Sequence, residues 1–115
     1  MLIQILKSKI HRVKITQADV DYIGSITIPL ELMKAANIVA GEKVQVLNIS
    51  NGERLETYVI EGEEPGEVCM NGPAALKMRV GDIVIIVSYA LVEQEKAKIY
   101  KPTIIFPDEI NNAIQ

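Results

Sequence analysis

Residues 35–46 and 75–86 of the chain carry one pattern twice. Ala35-Ala36-Asn37-Ile38-Val39-Ala40-Gly41-Glu42-Lys43-Val44-Gln45-Val46 aligns with Ala75-Leu76-Lys77-Met78-Arg79-Val80-Gly81-Asp82-Ile83-Val84-Ile85-Ile86. Each copy reads as a helix end, a turn with Gly plus an acid, and an apolar strand. Gly41 and Gly81 stand where such a turn needs a backbone conformation that other residues resist. The alternative is coincidence between two common helix-to-strand connections. Taken as a true repeat, it supports a two-lobed barrel.

The segments around the repeat are mostly strands. Residues 2–7 and 9–15 read as two short strands, and Thr16-Gln17-Ala18-Asp19 as a helical turn opened by a Thr cap. Ile26-Thr27-Ile28 is a strand feeding Pro29, which opens a helix to about Asn37. Lys43–Ile49 and Glu53–Ile60 pair through a tight turn at Asn51-Gly52. Glu67–Met70 is a further strand, and Gly72-Pro73-Ala74-Ala75-Leu76 starts a second short helix. Ile83–Tyr89 is a nearly continuous apolar run, expected to be buried on both faces. Residues 107–115 lack periodicity and read as a frayed end or a short helix.

Composition narrows the function. At 115 residues the chain makes a single domain, 1–115. It is 49% hydrophobic with one Phe and no Trp, so Ile, Val, Leu and Ala must fill the core. A net charge of −3 offers no broad basic footprint for nucleic acid. One Cys and one His exclude an internal disulfide and a multi-His metal site. Cys69 reads as a small buried hydrophobe. The opening Met1–Lys7 segment is too short for a secretory h-region, and no apolar run reaches membrane-spanning length. A soluble, cytoplasmic protein without membrane partners is expected.

Gly24-Ser25, set between two apolar segments, is the pair with chemical potential. The Ser25 hydroxyl can attack the Gly24 carbonyl, turn the amide into an ester and leave by β-elimination. Hydrolysis of the resulting dehydroalanine leaves an N-terminal ketone. Gly crowds that carbonyl least. An ordinary turn is the alternative for the pair taken alone.

Its surroundings carry more. Lys9-Ile10-His11-Arg12-Val13-Lys14, Thr16, Ala18-Asp19, Tyr22, Gly24-Ser25, Asn48, Asn51-Gly52, Arg54, Thr57-Tyr58, Asn71-Gly72 and Val80-Gly81-Asp82-Ile83-Val84-Ile85 run to about residue 90. In this combination the chain resembles the pyruvoyl-dependent aspartate 1-decarboxylases, which make β-alanine for pantothenate and hence coenzyme A. Residues 91–115 carry none of these features. The resemblance implies a mainly β, double-psi β-barrel and a proenzyme that cuts itself into 1–24 and 25–115. It implies a covalent pyruvoyl group from Ser25 that forms a Schiff base with substrate, with no metal and no pyridoxal phosphate. It also implies a homotetramer with sites at subunit interfaces.

Residue by residue, the resemblance makes Tyr58 the proton donor and Thr57 an aid to self-cleavage as well as a pocket residue. It puts Lys9 and Arg54 on the two carboxylates of L-aspartate, in either assignment. His11 and Tyr22 line the pocket or order the cleavage loop, and Asn71, Gly72, Pro73 and Ala74 border the substrate. The family usually continues Asn-Gly with three Ala; Pro73 removes one N–H from that stretch. Leu47 stands where some members carry Trp. Read without the family, Tyr58 and Thr57 are ordinary strand residues and Arg54 and Lys9 surface cations. The rival function is a non-catalytic β-barrel interaction or DNA-binding module, which needs a basic face and has no use for Gly24-Ser25.

Overall fold

The computed structural model describes residues 1–21 and 24–115. β1 (Leu2–Lys14) runs antiparallel to β7 (Ile83–Glu93) along nearly its whole length and parallel to the short β8 (Thr103–Ile105). After Thr16 the chain enters β2 (Gln17–Asp19), which pairs with β6 (Cys69–Asn71). The strand order is β2-β6-β3-β5-β4-β7-β1-β8, where β3 is Ser25–Pro29, β4 Lys43–Asn48 and β5 Arg54–Gly62. Because β1 flows into β2 at the far end of that order, the sheet curls round and closes as a double-psi β-barrel.

The repeat is the barrel's symmetry. Val46 faces Ile86 across the β4–β7 pair, flanked by Gln45 opposite Val87 and Leu47 opposite Ile85. Val46 and Ile86 are aligned positions of the two copies, and the flanking pairs exchange about them, so a pseudo-two-fold passes between Val46 and Ile86. Gly41 and Gly81 have φ of +86° and +97°, a region that favours glycine. Their N–H groups donate to Val59 O and Ile15 O, both at 2.8 Å. Glu42 and Asp82 each accept from a backbone N–H three residues back, at Val39 (3.1 Å) and Arg79 (2.9 Å). Asp82 also accepts from Asn48 Nδ2 at 2.7 Å, and this bond first holds its carboxyl below the usual range.

The core is aliphatic. Ile10, Ile26, Ile28, Leu32, Val46, Val59, Met70 and Ile86 are fully enclosed. α1 (Leu30–Ala36) follows Pro29 and buries Leu32, Met33 and Ala36. It ends at Asn37 in the left-handed conformation, where the Asn37 and Ile38 N–H groups satisfy the last carbonyls.

Several local expectations differ from the structure. Residues 2–14 form one strand with irregularities at Leu6/Ser8 and His11/Val13, since β7 pairs along its length. Thr16–Asp19 is not a helical turn. The Thr16 hydroxyl donates to Val68 O and accepts from Val68 N–H, which lays the following residues against β6 as a strand. The second helix is a short 3-10 segment, Gly72–Lys77. β7 extends to Glu93 and is enclosed on both faces only from Ile86 to Ser88. The C-terminal stretch is pinned rather than frayed. Buried Asn112 accepts from Lys14 N–H at 2.8 Å and donates to Lys14 O and Gly66 O at 2.9 and 2.8 Å. The four-residue α2 (Gln94–Ala97) precedes this stretch.

Candidate active site

Ser25 opens β3 opposite Asn71 of β6, and its side chain is 1% exposed. Residues two apart on a strand share a face, so Ser25 and Thr27 meet Cys69 and Asn71 across the pair. Asn71 Nδ2 donates to Ser25 Oγ at 2.9 Å and to Thr27 Oγ1 at 3.1 Å. The Cys69 thiol donates to Asn71 Oδ1 at 3.1 Å. All four side chains are buried. Burial, with the charges of Glu67 and Asp19, pushes the Cys69 thiol up, so it stays protonated at neutral pH.

The 3-10 segment abuts this corner. Asn71 precedes it without capping it, because its carboxamide is committed to Ser25 and Thr27. Gly72 has φ of +74° and is buried, while Pro73 is exposed and Ala74 half-buried. A Cβ placed on Gly24 would have Asn71 O and Pro73 Cδ as nearest neighbours, each at 4.0 Å. Space around the ground state does not demand glycine there. Tyr22 lies outside the described residues.

β5 runs parallel to β3, with Ile26 opposite Val59. Tyr58 and Ser25 each stand one residue before that first pair, on adjacent strands and the same face. Tyr58 is 40% exposed. Thr57 takes the opposite face, half-buried opposite Val44. Arg54 shares Tyr58's exposed face four residues earlier, roughly 13 Å along the strand. Its guanidinium donates to Gln45 Oε1 at 3.1 Å. There it lines an open groove of about 420 Å³ with Gln4, Lys43, Gln45, Glu56 and Tyr89.

Lys9 and His11 lie elsewhere. Lys9 sits opposite Val87 and Ile104, and His11 opposite Ile85. In the sheet order β7, β4 and β5 separate them from Ser25. His11 meets the Phe106 ring edge-on at 5.3 Å, and its Nδ1 is buried without a partner among the described residues. Burial first, then Lys9 and Arg12, lower its pKa against an opposing pull from Glu109. One chain therefore gathers Gly24, Ser25, Asn71, Gly72 and Tyr58 along β3, β5 and β6, and holds Lys9, His11 and Arg54 apart from them. Sequence reasoning missed Thr27 and the bonding role of Cys69. Their signal was the two-residue spacing of Ser25-x-Thr27 and Cys69-x-Asn71 on strands.

The family model described as aspartate decarboxylase matches residues 1–114. The aspartate 1-decarboxylase of Cytophaga hutchinsonii is 61% identical over 99% of this chain and 100% of its own length. Those of Phocaeicola vulgatus and Christiangramia forsetii are 56% and 57% identical, over 99% and 100% of both chains. A computationally designed protein of solved structure aligns at TM-score 0.47 and 19% identity, over 75% of this chain and 96% of its own.

Proposed function

The chain belongs to the aspartate decarboxylase family, and from that premise we propose that it converts L-aspartate to β-alanine and CO2 after cutting its own backbone at Gly24-Ser25. The observation that carries this reading is the Ser25 hydroxyl, buried and held by Asn71 at the start of β3. In the cut, Oγ bonds to the Gly24 carbonyl carbon and the Ser25 nitrogen takes up a proton as the C–N bond breaks. The resulting ester loses the Ser25 Cα proton; that electron pair forms Cα=Cβ, and the Cβ–Oγ bond breaks to release Gly24 as a carboxylate. Water then replaces the nitrogen of the imine tautomer, expelling ammonia and leaving a ketone.

The site fits such a group. Ser25 is buried from bulk water, donors from Asn71 reach it, and Tyr58 flanks it on the same face. The ketone supplies an electron sink for the pair that CO2 leaves behind. The Tyr58 hydroxyl delivers a proton to the substrate Cα. Arg54 and Lys9 hold the two carboxylates, the first as a planar fork and the second as a point charge. The retained carboxylate should be held more strongly than the departing one. Since one chain keeps these cations apart from Ser25, the working site is read as shared between subunits of a homotetramer, with His11, Tyr22, Thr57 and the 72–74 stretch bordering the substrate. The product feeds pantothenate synthesis in the cytoplasm.

Intact-mass measurement tests the reading. Fragments 1–24 and 25–115 are expected, the larger reacting with a carbonyl reagent at its first residue. Ser25→Ala should stay one chain and lack activity. A fully active preparation with the bond intact overturns the proposal.

A further inference from the structure

We infer that Lys7 is a positioning residue for Lys9: it forms the β-bulge that turns Lys9 to the face carrying Arg54, and its amine ties that bulge to Asn37 and Glu42. This rests on the reading of Lys9 as a substrate cation above. Leu6 faces Tyr89 and Ser8 faces Ser88, which are neighbours on β7, so Lys7 is the unmatched residue between them. Before the bulge Ile3 and Ile5 turn inward, opposite Val92 and Ala90, and Gln4 is exposed. After it Ser8 and Ile10 are enclosed, and Lys9 takes the outer face. Unbroken alternation from Ile3 and Ile5 would carry Lys9 inward. From Lys9 one outer row runs through Val87 and Gln45 to Glu56. The next runs from His11 through Ile85 and Leu47 to Arg54.

The amine reaches across to other elements. Lys7 Nζ donates to Asn37 O at the end of α1, and to Glu42 Oε2 at 3.0 Å in the turn before β4. It also lies 3.3 Å from Ser8 Oγ. The corner related by the pseudo-two-fold is built differently. There Asn37 and Glu42 correspond to Lys77 and Asp82, and Asn48 Nδ2 donates to Lys77 O at 3.3 Å and to Asp82 Oδ2 at 2.7 Å. Two residues past the aligned copies, the counterpart of Asn48 is Ser88, which has no amide to offer. One corner is thus closed from within the repeat and the other from β1. Closure from β1 adds what an Asn at position 88 would not, because it fixes the strand two residues before Lys9.

The test measures kcat/KM for aspartate on fully processed, assembled protein, with the melting temperature beside it. Lys7→Met should lower kcat/KM about two- to tenfold, mainly through KM. In a Lys9→Met background the same change should cost little more, because the group it positions is gone. Glu42→Gln weakens the tie from its other end and should follow the same pattern less strongly; it carries the comparison if Lys7→Met does not fold. Lys7→Met/Ser88→Asn should recover the melting temperature, since an amide again meets Asn37 O and Glu42, but should not recover kcat/KM. Equal losses with and without Lys9 overturn the inference. So does a Ser88→Asn rescue that restores kcat/KM along with stability, which would leave Lys7 only closing its corner. If Lys9→Met alone is as active as the native enzyme, the reading of Lys9 falls and takes this one with it. If Lys9→Met is impaired and Lys7→Met is not, only the role of Lys7 falls.

Discussion

At the β3–β6 corner Ser25, Thr27, Cys69 and Asn71 are buried and bonded to one another. Across β5, Arg54 and Lys43 stand in an open groove whose polar groups face solvent. The two regions suit different tasks. Cutting a single bond once rewards groups already in place, because nothing needs to enter. Binding a diacid repeatedly rewards cations that a ligand can reach and a second surface can enclose. The corner is supplied by one chain; on the proposed reading, a second chain would complete the groove. Maturation should accordingly be a first-order event within a chain, and turnover a property of the assembly.

The sharpest way to break this division is at β5, where neighbouring residues take opposite faces. Tyr58→Phe removes only a hydroxyl on the Ser25 face, and should leave cleavage intact. Turnover of the matured chain should fall by roughly 10²–10⁴-fold, the usual worth of general acid catalysis. A loss below about tenfold would mean Tyr58 only packs. Thr57 takes the face opposite Ser25 in the same chain, so Thr57→Val should leave cleavage unchanged if the cut is completed within one chain. Slowed cleavage would bring Thr57 of a second chain to the cut. Fragment appearance on a gel and CO2 release from purified fragments separate the two.

Arg54→Met is expected to lower kcat/KM for aspartate about ten- to a hundredfold, with Ser25 processing unchanged. Co-assembling Arg54→Met chains with Ser25→Ala chains sharpens the result. If each site draws Arg54 from one chain and Ser25 from another, the mixture should recover turnover that neither variant has alone. Assembled mixtures with no recovery would put both residues of a site in the same chain. Asparagine should be a far poorer substrate than aspartate, because its amide cannot satisfy a cation. Equal kcat/KM for the two would remove Arg54 and Lys9 from the pocket.

Much of the barrel was legible because its turns repeat: Gly41-Glu42 and Gly81-Asp82 mark two equivalent corners, and β4 and β7 face each other about the axis between them. The hairpin at Asn51-Gly52 was legible for the same local reason, with Gly52 at φ +76°. What sequence hid was decided at a distance. β2 looks like a capped turn until Thr16 meets Val68, and the C-terminal stretch looks loose until Asn112 reaches Lys14 and Gly66. At the site, Gly24-Ser25 and Asn71 were legible as types, but nothing local tells which face of a barrel a cation occupies. Lys9 and Arg54 read as one pocket, whereas the sheet order sets β7 and β4 between their strands on that side. Cys69 read as a hydrophobe because its burial is legible and its donor direction is not.

The smallest expected effect tests His11, which lies apart from both regions beside Phe106. Its ordinary value of 6.5 is lowered in the fold, first by burial and then by Lys9 and Arg12, with Glu109 opposing. A folded pKa below the unfolded one means that the unfolded chain binds more protons in the window beneath 6.5. Stability then rises with pH through that window and is fully present above it. Cooling of the melting temperature is thus expected as pH falls from about 7.5 to about 5.5, before most carboxylates titrate. His11→Gln keeps a polar side chain and removes the titration, so its melting curve should be flatter over the same range. Added salt should shrink the share due to Lys9 and Arg12 and leave the share due to burial. Native and His11→Gln curves that stay parallel would show that the proton is held equally well in both states, and that the Phe106 contact costs the imidazolium nothing.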